Sequence, residues 1–241
     1  LTGGPTREEL ELAIAAYWQT KGEQDAAARK IRSTAEGTAK TVRGGGQFNP
    51  LINLIARFFT DAGYPMESVG VKKGQVALPG YFRPNKQWDL VVVHRGVLVA
   101  AIEMKALGGP SFGNNYNNRV EEAIGNSADI GRAYREGLTG PEKPWLGYFY
   151  LMHDHPKSRG SVRIDRGPFP VEELWVKRSY QERYEIGATR LVEDGFYNSV
   201  CYVVSSEEDP GPREPAPLLD WQHFCAGIRG RIEYLAGLGY P

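Results

Sequence analysis

Long apolar runs are missing from this chain: nowhere do its 241 residues approach the ~18 uninterrupted apolar positions of a membrane span, which argues against a role in the bilayer. Cysteine is scarce. Cys201 and Cys225 are the only two, and neither stands in a CxxC or other metal-ligand spacing, so a zinc ribbon or a disulfide framework is not expected. Cys201 lies inside an apolar run and reads as a small buried hydrophobe, which points to a reducing cytoplasm. There is no excess of either charge, with 29 Lys plus Arg against 29 Asp plus Glu. That balance lacks the basic footprint of a bulk nucleic-acid binder, although a groove needs positive potential only along its length. Leu1–Pro5 has neither a basic region nor an apolar one to mark it for export, and a start at leucine suggests a trimmed chain. No internal repeat and no low-complexity tract is present.

The remainder is ordinary for a globular protein, 41% apolar and 24% charged, and long enough for one large domain or a core with helical additions. Residues 6–40 are rich in Ala, Glu, Gln, Lys and Arg and predict a helix, with Thr6 and Glu9 spaced as a capping box. The glycines at 44–46 break it. Leu51, Leu54, Ile55, Phe58 and Phe59 recur at helical spacing within a second helix over 50–62. The period then changes. Residues 88–94 and 97–104 are β-rich runs joined at Arg95-Gly96, a hairpin signal. Further on come a helix over 118–137, an aromatic strand over 145–152, a helix over 179–196, a strand over 200–205, a Pro/Asp/Glu loop over 207–217 and a closing helix over 218–238. This order predicts an α/β protein, a mixed central sheet flanked by helices, with a helical N-terminal segment.

Asp89 precedes the hairpin, and Glu103-Met104-Lys105 ends it, the only acid-x-Lys triplet in the chain. Two carboxylates suit Mg²⁺, a hard cation that prefers oxygen, and such a metal polarises a phosphodiester. A lysine beside it can orient water and offset charge at phosphorus. The triplet alone is a weak motif, more readily read as a solvated ion pair at a strand end. Placement adds to it. Residues two apart on a strand share a face, so Glu103 and Lys105 point the same way and Met104 faces the core. Asp89 joins them if the turn at Gly96 has three residues; a two-residue turn requires a bulge to bring it round.

After the triplet, Asn114, Asn115, Asn117, Asn118 and Arg119 surround Tyr116 in what reads as a loop leading into the next helix. Asn pairs with the adenine edge in the major groove and Arg with guanine. The bland alternative is turn and cap chemistry, with Asn118 and Glu121 as a capping box.

Together, Glu103-Met104-Lys105, Gly109-Pro110-Ser111-Phe112-Gly113-Asn114-Asn115, Asn117-Asn118-Arg119 and Glu121-Glu122-Ala123-Ile124-Gly125 resemble the XhoI-type restriction endonucleases. Gly44-Gly45-Gly46-Gln47, Arg183-Tyr184-Glu185 and Ser205-Ser206 extend the likeness over most of the chain. The resemblance implies a restriction-endonuclease-like PD-(D/E)xK core, with Pro84 a marker five residues before Asp89 and not a working part. It implies one nuclease domain: a helical segment over 1–47, a catalytic core over 48–205, and a C-terminal loop and helix over 206–241. It further implies a Mg²⁺-dependent homodimer cutting double-stranded DNA at a short palindrome, CTCGAG or similar, with a 5′ overhang. Asp89 and Glu103 would hold the metal and Lys105 would complete the catalytic set. Gln47, Asn114, Asn115, Asn117, Asn118, Arg119, Lys157 and Arg159 would contact DNA. Competing readings are a repair or recombination nuclease of the same fold and a DNA-binding module that does not cut.

Other residues invite a role. His153 and His155 could present two imidazoles at a strand end, or form a polar loop mouth. Glu36 could add a carboxylate. Trp18, Trp175 and Trp221 read as core or interface anchors.

Overall fold

A computed structural model describes residues 4–34, 45–108, 112–165 and 167–240. Its centre is a five-stranded mixed sheet in the order β1-β4-β5-β6-β7: β1 (Val69–Gly70), β4 (Leu90–His94), β5 (Val97–Leu107), β6 (Trp145–His153) and β7 (Ser199–Ser205). β1, β4 and β5 pair antiparallel, whereas β5, β6 and β7 run parallel. The parallel half needs crossovers, and α3 (Phe112–Arg135) and α5 (Tyr180–Glu193) supply them. β2 (Ala77–Pro79) and β3 (Asn85–Gln87) form a separate small hairpin, and α4 (Pro156–Arg159) is one turn after β6. The remaining helices are α1 (Arg7–Thr34), α2 (Asn49–Asp61) and α6 (Trp221–Gly237).

The sheet separates two apolar layers. α1, α2 and α6 bury Leu10, Ile14, Leu51, Ile55, Phe58, Phe224 and Ile228 against Val92, Val99, Met104, Phe149 and Val203. α3 and α5 bury Phe112, Ile130, Tyr184 and Leu191 on the other face, against Val91, Leu98, Ala101, Tyr148, Tyr150 and Tyr202. That second layer is rich in tyrosine. Tyr150 and Tyr184 stack with ring centres 3.4 Å apart, and the Tyr184 hydroxyl donates to that of Tyr148 at 2.8 Å. The expected mixed α/β sheet with flanking helices and an N-terminal helix is therefore present. Met104 is buried as foreseen, and both cysteines are buried and free. None of the described helices is long and apolar enough to cross a membrane.

Local chemistry sets the helix starts. Thr6 and Glu9 exchange backbone and side-chain hydrogen bonds at α1, and Ser179 and Glu182 do the same at α5. One boundary departs from expectation. α3 begins at Phe112, six residues before the predicted start at Asn118, so the asparagines lie on a helix and not in a loop, and Asn118 does not cap it. Gly113 and four asparagines are poor helix formers. Phe112 outweighs them: it is buried beside Tyr180 and His155, which fixes the first turn to the core.

Candidate active site

Parity decides the site. Arg95 and Gly96 both have positive φ, 49° and 76°, and His94 pairs with Val97, so the hairpin closes through two residues. That turn alone would set Asp89 on the opposite face from Glu103. The register then shifts: Val93 pairs with Leu98 but Val92 pairs with Ala100, leaving Val99 as an extra residue in β5. Val99 and Ala100 consequently both face the α1/α2/α6 layer, and everything beyond them changes sides. Leu90 pairs with Ile102, and one step further Asp89 meets Glu103 on the α3 face. Of the two routes that would bring the acids together, the chain takes the bulge.

Three carbonyls, at the bulge and just before β6, are held by one side chain. Arg231 of α6 is buried, and its guanidinium donates to the carbonyls of Val99 at 2.9 Å, Leu98 at 3.3 Å and Lys143 at 3.0 Å. Burial lowers the pKa of this guanidinium from its ordinary value.

Glu103 is 2% exposed. One of its oxygens is paired with the Lys105 ammonium, and the other lies 2.5 Å from that of Lys86. Lys86 is a second lysine at the site that the sequence reading overlooked. It lies on β3, 12% exposed at its side chain, with its ammonium 2.7 Å from the Gln87 carbonyl and 4.6 Å from the centre of the Trp88 ring. Burial pulls its pKa down, against the attraction of Glu103. Asp89 accepts the Met104 backbone N–H through Oδ2 at 2.7 Å. Burial, and then the neighbouring Glu103, push the Asp89 carboxyl up to about 6, opposed by that hydrogen bond and by the two lysines.

The loop bearing Lys86 is fixed to α3. Asp129, buried, accepts the backbone N–H groups of Tyr81 and Phe82 and the Arg83 guanidinium at 2.7–2.9 Å. Arg83 also donates to Asn126 at 2.8 Å. Gly80 has no room for a side chain, since a Cβ there would come within 2.6 Å of both Asp129 and the Arg83 carbonyl.

The remaining sequence-selected residues divide. Asn114, Asn117 and Asn118 are exposed on one side of α3, and Asn115 is half-buried. Arg119 turns inward: it donates to Glu122 at 2.6 Å, and its Nε is buried without a hydrogen-bond partner among the described residues. Glu122 Oε2 in turn lies 3.9 Å from the Lys105 ammonium. Asn114 and Lys157 line one open cleft of about 610 Å³ with Phe112, Tyr180 and Arg163. Arg159 is exposed but engaged by Asp154 through two hydrogen bonds. Gln47 sits in the turn Gly45–Phe48 before α2, its Oε1 buried and unpartnered among the described residues. His153 packs beside Trp18, with ring centres 5.0 Å apart, and His155 caps α4 by accepting the Lys157 N–H. Among the described residues no cluster of three or more His, Cys, Asp or Glu side chains is gathered for a metal. Glu36, Gly44 and the segment 109–111 lie outside the described residues.

The donor set suits a hard divalent cation that retains water and takes its remaining ligands from substrate: two carboxylates side by side, with ammonium groups around them. The family model described as restriction endonuclease XhoI matches residues 28–213. The type II restriction enzyme XhoI of Xanthomonas vasicola is 37% identical over 187 residues, 77% of this chain and 75% of that protein. BstVI of Geobacillus stearothermophilus, also a type II restriction enzyme, is 38% identical over 178 residues, 71% of this chain and 79% of its own. AbrI of Azospirillum brasilense, of the same description, is 51% identical over 98 residues, 40% of this chain and 44% of its own. No solved structure matches. The chain belongs to the XhoI family of restriction endonucleases.

Proposed function

We propose that the protein is a type II restriction endonuclease that cuts both strands of a short palindromic DNA site, CTCGAG or a close variant, leaving a 5′ overhang, with Mg²⁺ as its cofactor. The observation that carries this reading is the hairpin geometry. A bulge places Asp89 opposite Glu103, with Lys105 on the same face. In the proposal Asp89 and Glu103 hold the cation, which when bound supplies positive charge at the scissile phosphate and makes water a better nucleophile. Lys105 orients the attacking water and offsets charge developing on phosphorus. Asp89 is held in place by the Met104 N–H, and Glu103 by the two lysines.

DNA would lie along the open cleft beside α3. Lys157 and Arg163 would meet phosphates there, Asn114 would present its amide to base edges in the cleft, and the exposed Asn117 and Asn118 would do so further along α3. Arg159 and Asn115 would add supporting contacts, while Gln47 would approach from the α2 end. Arg119 would act either on bases or through Glu122. A two-fold homodimer suits a palindrome, since each protomer then attacks one strand, and the cytoplasm is the proposed compartment.

Plasmid digestion in Mg²⁺ followed by end mapping tests the reading. Discrete ends at one palindrome support restriction. Ends at nicks or branches would favour a repair nuclease, and no cutting in any divalent metal would favour a binding module.

A further inference from the structure

We propose that Lys86 is a built-in competitor for the metal: in the DNA-free protein its ammonium is paired with a Glu103 oxygen that a divalent cation would otherwise be free to take. The inference rests on the metal-dependent reading above and deepens it. Each Glu103 oxygen has its own ammonium, Lys105 on one and Lys86 on the other. A cation coordinated by the second oxygen would compete with the Lys86 ammonium that lies 2.5 Å from it.

Charge reinforces the geometry. Asp89 and Glu103 with Lys105 alone would form a cluster of net charge −1, an attractive seat for a dication. Lys86 cancels that charge before any metal arrives. Its side chain is only 12% exposed, which keeps the ammonium close to the carboxylates. In the same position it also meets the Gln87 carbonyl at 2.7 Å and the Trp88 ring face at 4.6 Å. Lys86 can thus release the carboxylate without losing every partner. The Arg83–Asp129 network and the tight turn at Gly80 fix the β2–β3 hairpin that carries it, so its approach to Glu103 is built in and not a chance surface pair.

The consequence is a metal site that is weak in the free protein. A DNA phosphate, being anionic, gives the displaced ammonium a partner and adds oxygen ligands for the cation. By linkage, metal and DNA then each strengthen the other's binding.

The test is Mn²⁺ binding to DNA-free protein, read by the electron paramagnetic resonance of unbound Mn²⁺. Lys86→Met removes the competing charge at similar volume and should bind Mn²⁺ at least tenfold more tightly than the parent. Lys86→Arg, which keeps a cation, should stay within about threefold of the parent. Circular dichroism and melting accompany each titration, and Lys86→Gln replaces the methionine variant if that one does not fold. Unchanged or weaker Mn²⁺ binding in folded Lys86→Met or Lys86→Gln overturns the proposal. Glu103→Gln separates the two levels: if it binds Mn²⁺ as tightly as the parent, the metal assignment itself is wrong.

Discussion

The guanidinium of Arg231 donates to the carbonyl of Val99, a residue 132 positions earlier in the chain and the one that bulges out of β5. Because that bulge puts Asp89 and Glu103 on one face, a buried arginine on the last helix stands at the point that sets the parity of the hairpin. Arg231→Met should destabilise the protein by ~3–5 kcal/mol, since it leaves buried carbonyls unpaired. The folded fraction should also cut at least tenfold more slowly. Deleting Val99 in that background leaves a regular two-residue hairpin in which Asp89 still opposes Glu103, so cutting per folded molecule should recover. Thermal melts beside single-turnover cleavage measure both. Recovery failing in a well-folded double variant would mean that Arg231 acts through something other than register.

Lys105→Ala should lose a hundredfold or more in cleavage rate, as expected for a contact worth ~3–4 kcal/mol in the transition state. Specific DNA binding should persist, because the proposed reading groups lie on α3. A gel-shift titration in Ca²⁺ beside a cleavage assay in Mg²⁺ on one duplex gives both quantities. Near-parental cutting by Lys105→Ala would remove it from the mechanism.

The raised Asp89 carboxyl has a stability consequence with a definite sign. Between its ordinary pKa of 3.8 and the folded value of about 6, the folded protein keeps a proton that the unfolded chain has lost. Metal-free stability should therefore fall as pH rises through that window. Asp89→Asn, which cannot ionise, should melt higher than the parent at pH 8, by on the order of 2–3 kcal/mol, and equally with it near pH 3. Metal affinity should run the other way and strengthen from pH 5 to 7 as the carboxylate forms. Urea titrations in EDTA at several pH values check the first part and Mn²⁺ binding the second. A stability difference independent of pH would contradict the assignment.

Asn114, Asn117 and Asn118 should separate from Arg119 under alanine substitution. Loss of a base-reading amide costs ~1–3 kcal/mol and relaxes one base position. Arg119→Ala should instead slow cutting without relaxing the site, because Arg119 is engaged with Glu122 beside Lys105. Cleavage of a library of single-base variants of the site distinguishes these outcomes. Relaxed specificity in Arg119→Ala would return Arg119 to the reading set.

Much of this architecture was legible because its signals are local. Leu51 to Phe59 recur at helical period, the two β runs flank Arg95-Gly96, and Thr6–Glu9 is a capping box that forms as written. What was not legible depends on distant partners. The bulge carries a hydrogen bond from Arg231, a distant partner that no pattern around residues 88–105 reveals. The first turns of α3 defy their own propensity because Phe112 is buried. Lys86 escaped notice because Pro84-Asn85-Lys86-Gln87 reads as loop, and the strand it forms is three residues long. Its one available cue was a lysine three residues before Asp89.

The unbroken course of α3 has a mechanical meaning. Asn114 and Glu122 are eight residues apart on one helix, which at 1.5 Å per residue separates them by about 12 Å along a stiff rod. The far end of that rod lies beside the Lys105 ammonium. If the asparagines read bases and Lys105 belongs to the cutting centre, as proposed, a base pair that prevents them from seating would tilt or withdraw the same body. Under the proposed reading, discrimination needs no signalling pathway and no moving lid: a wrong sequence is felt at the scissile phosphate as a misplaced lever, within the time a helix takes to shift as one piece.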